Sequence, residues 1–156
     1  MCGRYAASAN PDDLVEEFEI ELDATAEPAR SILASPQSPA PGQPDFNVSP
    51  TKQAPVVLTR APRERDADES DDGQAGGSSG VRQLRLLTWG LVPSWSKDIR
   101  AGVRMINARS ETVLTSRAYA PAARSRRCLV PARGWYEWQA SPVAKDAKGK
   151  PRKQPF

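Results

Sequence analysis

The chain opens Met1-Cys2-Gly3-Arg4-Tyr5, and a cysteine at position 2 can do chemistry that no internal cysteine can. Cytosolic maturation usually removes an initiator methionine when the next side chain is small. Loss of Met1 leaves Cys2 with a free α-amine and a thiol on adjacent carbons. Their unperturbed pKa values, about 8 and about 8.5, keep both partly nucleophilic near neutral pH. Such a 1,2-aminothiol attacks an aldehyde twice. The amine forms an imine, and the sulfur then closes a five-membered thiazolidine ring. Position alone proves little, because chain termini commonly fray.

A nucleophile of this kind needs a proton shuttle, a donor for the reacting oxygen and something to hold the substrate. Glu137 is the candidate shuttle. It sits in Gly134-Trp135-Tyr136-Glu137-Trp138-Gln139, read as an aromatic strand with one carboxylate in its middle. An apolar setting of that sort raises a carboxyl pKa towards neutrality; a solvent-facing strand glutamate fits the same pattern. Asn107 can donate to the amine or to a substrate oxygen, and can equally be a turn residue. Arg109 and Arg4 can clamp phosphates through paired hydrogen bonds, or simply decorate the surface. Trp95 lies in a Pro-Ser-Trp turn that reads as exposed, where an indole could stack on bases or wedge between them. Trp89, beside Gly90, reads as core.

The elements that must position these residues come from one small chain. Its 156 residues suit about one domain. Two stretches dilute the apolar content to 38%. One is a Pro-rich loop over 27–45; the other is a charged, Gly/Ser-rich insertion over 61–80, expected to be disordered and to link two strands. Charge is unevenly spread. Residues 81–133 carry 11 basic and 2 acidic side chains, a net +9 against +3 for the whole chain. A stretch of that sign is a candidate footprint for a polyanion, although arginines on a solvated face look the same. Histidine is absent, which excludes a His-based acid/base and a His-ligated metal within this chain. Cys2 and Cys128 make neither a disulfide framework nor a CxxC metal motif. Cys128, in Arg126-Arg127-Cys128-Leu129-Val130-Pro131, is expected in a short buried strand. With no signal-peptide pattern and no transmembrane span, the reading is a soluble cytosolic protein without cofactor or metal.

Asn10-Pro11-Asp12-Asp13 is a helix start, with Asn as cap, Pro in the first turn and two acids near the positive end of the dipole. Leu14, Val15, Phe18 and Leu22 extend one apolar face, so a helix is expected over 11–21. Strands are expected from Arg4 to Ala7 and across Ala54 to Thr59, and Leu84 to Pro93 is read as a strand ending in a turn. A helix is expected from Ser110 or Glu111 onward and another around Ala118 to Arg124. The lysine-rich tail reads as a hairpin loop leading to a strand that begins at Gln154. Many short strands with few helices indicate a β-rich α+β domain.

Taken together, Met1-Cys2-Gly3-Arg4-Tyr5, Phe46-Asn47-Val48-Ser49-Pro50, Trp89-Gly90-Leu91-Val92-Pro93-Ser94-Trp95, Asn107-Ala108-Arg109-Ser110-Glu111-Thr112 and Arg127-Cys128-Leu129-Val130-Pro131-Ala132-Arg133-Gly134-Trp135-Tyr136-Glu137-Trp138 resemble the SOS response-associated peptidase (SRAP) family. The resemblance spans the chain apart from the two loops. It implies one SRAP-like domain of short, mostly antiparallel strands with a few short helices. It also implies a monomer that senses abasic sites in single-stranded DNA near the nucleoid, as part of the SOS response, and crosslinks to them. By resemblance, Cys2 is the nucleophile and also removes Met1, Asn107 orients the N-terminus or the sugar, and Glu137 is the acid/base. Arg4, Asn47, Pro50, Trp95 and Arg109 would line the DNA path, with Trp95 as a wedge and Arg109 on a phosphate. The family carries a downstream catalytic histidine that this chain lacks. The chain is therefore expected to be the N-terminal portion of such a protein, with the fold incomplete at its C-terminal end. Three other readings stay open. They are a non-catalytic single-stranded-DNA-binding module, an inactive truncated remnant, and a class II glutamine amidotransferase-like enzyme whose N-terminal thiol attacks an amide.

Overall fold

The structure is a computed structural model and describes residues 3–29, 36–61 and 80–155. Cys2 and all but the flanks of the 61–80 insertion lie outside the described residues. Among the described residues the architecture is α+β, with three small sheets, two short α-helices and a 3-10 helix over Ile99–Arg104.

The central framework is a hairpin of two eight-residue strands. The β4 strand (Gln53–Arg60) and β5 (Val81–Thr88) pair antiparallel without a register break, from Gln53 opposite Thr88 to Arg60 opposite Val81. Their β-branched and leucine-rich sequences suit a pleated, half-buried surface. The charged insertion therefore grows from the tip of this hairpin. Added loop length costs little closure entropy there. The short strand β2 (Leu22–Asp23) adds parallel to the other edge of β5.

A second sheet carries the N-terminus. The strand β1 (Tyr5–Ala7) lies between β3 (Asp45–Val48) and β6 (Gly134–Trp135), antiparallel to both. Its alternation puts Tyr5 and Ala7 inward, against Val48 and Ala54, with Trp89 packed on the cluster. Helix α1 (Pro11–Glu17) buries Leu14 against Val57 and Leu84, forming the other half of the core. Full burial of a leucine contributes on the order of 2 kcal/mol. The third sheet is a hairpin of β7 (Trp138–Lys145) and β8 (Pro151–Pro155).

Several expectations are corrected. Helix α1 ends at Glu17, four residues short of the expected 21. Residues past Phe18 turn away because Glu19 takes a positive φ of 48° and Glu21 bonds to Arg82 instead. Asn10 occupies the cap position, but its side chain makes no capping hydrogen bond. The residues from Ser110 to Thr115 form turns rather than a helix. Helix α2 (Ala120–Ser125) begins two residues later than expected. The strand read from Leu84 starts at Val81 and gives way to bends after Thr88, and the last strand begins at Pro151 rather than Gln154.

Gly90 shows why β5 stops where it does. Its φ is +137°, and a Cβ there would lie 2.4 Å from the Gly102 carbonyl oxygen. A side chain is excluded both by the backbone conformation and by this close approach. The contact folds the Trp89–Met105 stretch back on itself, and Leu91 N–H donates to the Met105 carbonyl at 3.0 Å.

Candidate nucleic-acid site

The N-terminal strand is held on both sides by residues that the sequence analysis singled out or passed over. Arg4 Nη1 donates to Asn47 Oδ1 at 2.9 Å. The Arg4 carbonyl accepts from the Tyr136 N–H at 2.9 Å, and the Arg133 N–H donates to the Ala6 carbonyl at the same distance. The Tyr136 hydroxyl then reaches across to the Phe46 carbonyl at 2.9 Å. Residues from β3, β1 and the stretch after β6 thus meet at one end of this sheet.

Glu137 comes next in the chain. The aromatic run is not one continuous strand: pairing stops after Trp135 and resumes at Trp138 in a different sheet. Glu137 therefore sits, half-buried, at the corner where the chain changes sheets. Such a corner frees a side chain from strict in-and-out alternation. The Tyr136 and Trp138 rings flank it, with centroids 6.4 Å apart. Trp135, by contrast, is 68% exposed, so the aromatic surroundings are open on one side.

Asn107 is tied to the same end of the molecule by a chain of contacts. Tyr5 and Trp89 meet edge to face at 5.5 Å. The Trp89 indole N–H donates to the Ile106 carbonyl at 2.8 Å, one residue before Asn107. The Tyr119 hydroxyl donates to the Asn107 carbonyl at 2.8 Å. The backbone of Asn107 is thereby held from two sides while the residue itself is exposed.

Phosphate-sized anions would meet cationic side chains nearby. Arg109 is exposed, two residues beyond Asn107. Trp95 is 58% exposed, and the Arg117 guanidinium lies 5.6 Å from its ring centre. Its loop is braced below by Asp98, whose carboxylate accepts from the Arg100 backbone N–H at 2.9 Å and from the guanidinium Nε. Those hydrogen bonds hold the Asp98 carboxyl below the usual carboxylate range. Among the described residues, no group of three or more His, Cys, Asp or Glu side chains could hold a metal ion. No helix among them is long and apolar enough to cross a membrane.

The SOS response associated peptidase (SRAP) family model matches residues 1–156. The chain belongs to the SRAP family. It is 30% identical over 139 residues to the abasic site processing protein YoaM of Bacillus subtilis (strain 168), covering 89% of this chain and 48% of that protein. It is 33% identical over 160 residues to the abasic site processing protein HMCES of Rattus norvegicus, covering all of this chain and 40% of that protein. The mouse HMCES match is 35% identical over 117 residues, with 72% of this chain and 29% of that protein covered. The chain thus spans less than half the length of these curated relatives.

Within this SRAP chain the structure brings Arg4, Asn47 and the Tyr136-Glu137 corner together, and links Asn107 to them through Trp89 and Tyr5. Pro50 lies in the turn after β3, where Thr51 N–H bonds the Trp89 carbonyl at 3.0 Å. Trp95 and Arg109 both stand exposed. Cys2 falls outside the described residues. Two of the +9 segment's arginines are structural rather than available. Arg82 pairs with Glu19 at 3.0 Å, and Arg85 grips Glu27 through both guanidinium nitrogens. Tyr136, Tyr119 and Lys52 were missed. Lys52 bonds Asp45 at 2.6 Å and so pins the β3 turn. The only signal for the two tyrosines was a polar tip on an aromatic ring, which needs a partner when half-buried.

Cys128 corrects the expectation of a buried strand. Only Leu129 forms a bridge, with Val57, and Cys128 is exposed. Leu129 and Val130 are 58% and 52% exposed. An apolar sequence there did not mean a covered one. Protein packed against one side of the Cys128 thiol still displaces water and pushes its pKa up.

Proposed function

We propose that this chain captures the aldehyde of ring-opened abasic sites in single-stranded DNA through Cys2, once Met1 has been removed. The observation that carries this reading is the double grip on Arg4. Its carbonyl is bonded to Tyr136 and its side chain to Asn47. Cys2 is two residues from Arg4 along the chain, a span of at most about 7 Å. The reading needs Cys2 near the corner that carries Glu137, and so short a tether allows it. Family membership and the names of the relatives support abasic-site processing as the setting.

In the proposed reaction the Cys2 α-amine adds to the aldehyde carbon and the aldehyde oxygen takes up a proton. The resulting hydroxyl leaves as water, aided by a proton from the Glu137 carboxyl, and an imine remains. The Cys2 thiol gives its proton to the Glu137 carboxylate, and the sulfur adds to the imine carbon as the nitrogen is protonated. A thiazolidine results, with one water released and no change in oxidation state. Asn107 would orient the amine or the sugar oxygen. Arg4, Asn47, Pro50, Trp95 and Arg109 would line the DNA path, with Arg109 on a phosphate and Trp95 against a base. The same thiol would release Met1 beforehand, as the family description implies. On this reading the protein acts on damaged DNA during the SOS response, beside the nucleoid, as a monomer built from a single SRAP-like domain.

The test is a denaturing gel after incubation with single-stranded DNA carrying one abasic site. Met1 removal is checked by mass. A slow-migrating adduct is expected from the wild-type chain, absent with Cys2→Ala and absent with a tetrahydrofuran site that has no aldehyde. A folded, Met1-processed chain that gives no adduct would sink the reading and leave non-covalent binding in its place.

A further inference from the structure

Among the described residues, three arginines share a cleft and have no carboxylate partner. The cleft, about 680 Å³, runs between the far end of the β4–β5 hairpin and the stretch after α2. Arg60, the last residue of β4, lines it together with Arg126 and Arg127. Their meeting follows from the backbone. Val57 and Leu129 exchange hydrogen bonds of 3.0 and 2.8 Å in an antiparallel bridge. Moving up β4 from Val57 towards Arg60 therefore runs alongside moving back from Leu129 towards Arg126.

The contrast with other arginines is informative. Arg82, Arg85 and Arg100 each have a carboxylate partner. Glu27 also lines the cleft, but it is engaged by Arg85 through both nitrogens. Among the described residues, no ion pair or side-chain hydrogen bond involves the guanidinium of Arg60, Arg126 or Arg127. Three like charges held in one concavity repel one another, and a bound anion relieves that repulsion. The wall beside them is partly apolar: Leu58 and Leu87 share the face of the hairpin that carries Arg60, and Leu87 is 42% exposed. Guanidiniums next to an open apolar wall match a nucleotide strand, with its phosphates on the arginines and its sugars against the leucines. Continuity points the same way. The cleft ends at Thr88, and the next residue, Trp89, packs on Tyr5 of the candidate site.

We propose that this cleft is a second contact for the DNA strand, holding phosphodiester groups away from the lesion. It shares no lining residue with the candidate site. The inference rests on the DNA reading above, but not on covalent capture. It gives the strand a non-covalent hold before the aldehyde is reached.

The test uses undamaged single-stranded DNA, so Cys2 chemistry plays no part. Fluorescence anisotropy with a labelled oligonucleotide, over a range of salt, compares the wild-type chain with the triple variant Arg60→Gln, Arg126→Gln, Arg127→Gln. Three lost phosphate contacts should make the log–log salt slope shallower by about 2 and weaken affinity on the order of tenfold or more. The triple replacement by Lys keeps the charge and should retain most of the slope, which separates lost charge from lost fold. An unchanged affinity and slope in the Gln variant overturns the proposal. So does a cleft that takes only inorganic phosphate, seen as phosphate binding by calorimetry that the Gln variant loses while DNA binding stays the same. Loss of DNA binding in the Gln variant, with no adduct from any chain on abasic DNA, would leave this site standing and remove the crosslinking reading alone.

Discussion

Tyr5 and Trp89 meet edge to face with ring centroids 5.5 Å apart, and through this contact the N-terminal strand feels the segment that carries Asn107. Trp89 passes the constraint on, because its indole N–H holds the Ile106 carbonyl. Two residues far apart in sequence are coupled by one ring with a polar edge.

Replacing Trp89 by Phe keeps a ring against Tyr5 but removes the donor to Ile106. The expected cost is about 1 kcal/mol in urea unfolding, the net worth of one hydrogen bond. Adduct formation on abasic DNA should slow further than that loss of stability explains, because Asn107 loses its anchor. Equal rates for the variant and the wild type, both fully folded, would show that Asn107 placement does not matter.

Gly90→Ala is expected to cost more than about 2 kcal/mol, since the new Cβ would lie 2.4 Å from the Gly102 oxygen at a φ of +137°. Gly134→Ala, where a Cβ meets nothing within 4 Å, serves as the contrast. It should stay within about 0.5 kcal/mol of wild type. Chemical denaturation of the two variants side by side checks both figures.

The Arg85 side chain is 8% exposed and Glu27 28%. Truncating the partner leaves a buried guanidinium with less compensation, although Gln83 Oε1 still accepts from its Nε at 2.7 Å. Glu27→Ala should therefore destabilise by about 2–4 kcal/mol, at or below the range for broken buried pairs because Glu27 is partly solvated. Replacement by Gln retains a hydrogen-bond acceptor and should cost less. A midpoint unchanged in both variants would contradict the pair's structural role.

Glu137→Gln tests acid/base participation apart from binding. The expected loss in adduct rate is roughly 10²–10⁴-fold, with affinity for undamaged DNA retained. Tyr136→Phe removes the hydroxyl bond to Phe46 and should cost about 1 kcal/mol of stability. If Glu137→Gln forms adduct at the wild-type rate, the proton shuttle lies elsewhere.

Cys128 is exposed, yet its thiol pKa is raised by desolvation. A raised thiol pKa lowers the thiolate fraction at neutral pH, and the thiolate is the reactive form. Iodoacetamide should label Cys128 more slowly than an unstructured peptide cysteine at pH 7.5. The gap should close as pH rises above the shifted value. Mass spectrometry of the digested protein reads this directly, and equal labelling rates at neutral pH would contradict it.

Local signals carried much of the architecture. The Pro11 helix start, the apolar runs of β4 and β5, and the break between them could all be read along the chain, since each depends on neighbours within a few residues. The order of the motifs likewise pointed to the family before any geometry was known. What pattern alone could not supply was the partner of each group. Arginines 82 and 85 looked like part of a polyanion footprint, but chain reversal pairs Arg82 with Glu19 at the surface and Arg85 with Glu27 in a largely buried pair. Arg60, outside that stretch, joins Arg126 and Arg127 in one cleft. The apolar run around Cys128 looked buried, yet it forms one bridge and stays open, because apolar composition does not say which element packs on top. The run around Glu137 looked like one strand, yet it changes sheets at that residue. Strand and helix propensity act over a few residues, so the sequence by itself determined that α1, β4 and β5 form, though not where α1 ends. Charge pairing, sheet membership and coverage depend on contacts between distant segments, and only the tertiary structure decided those.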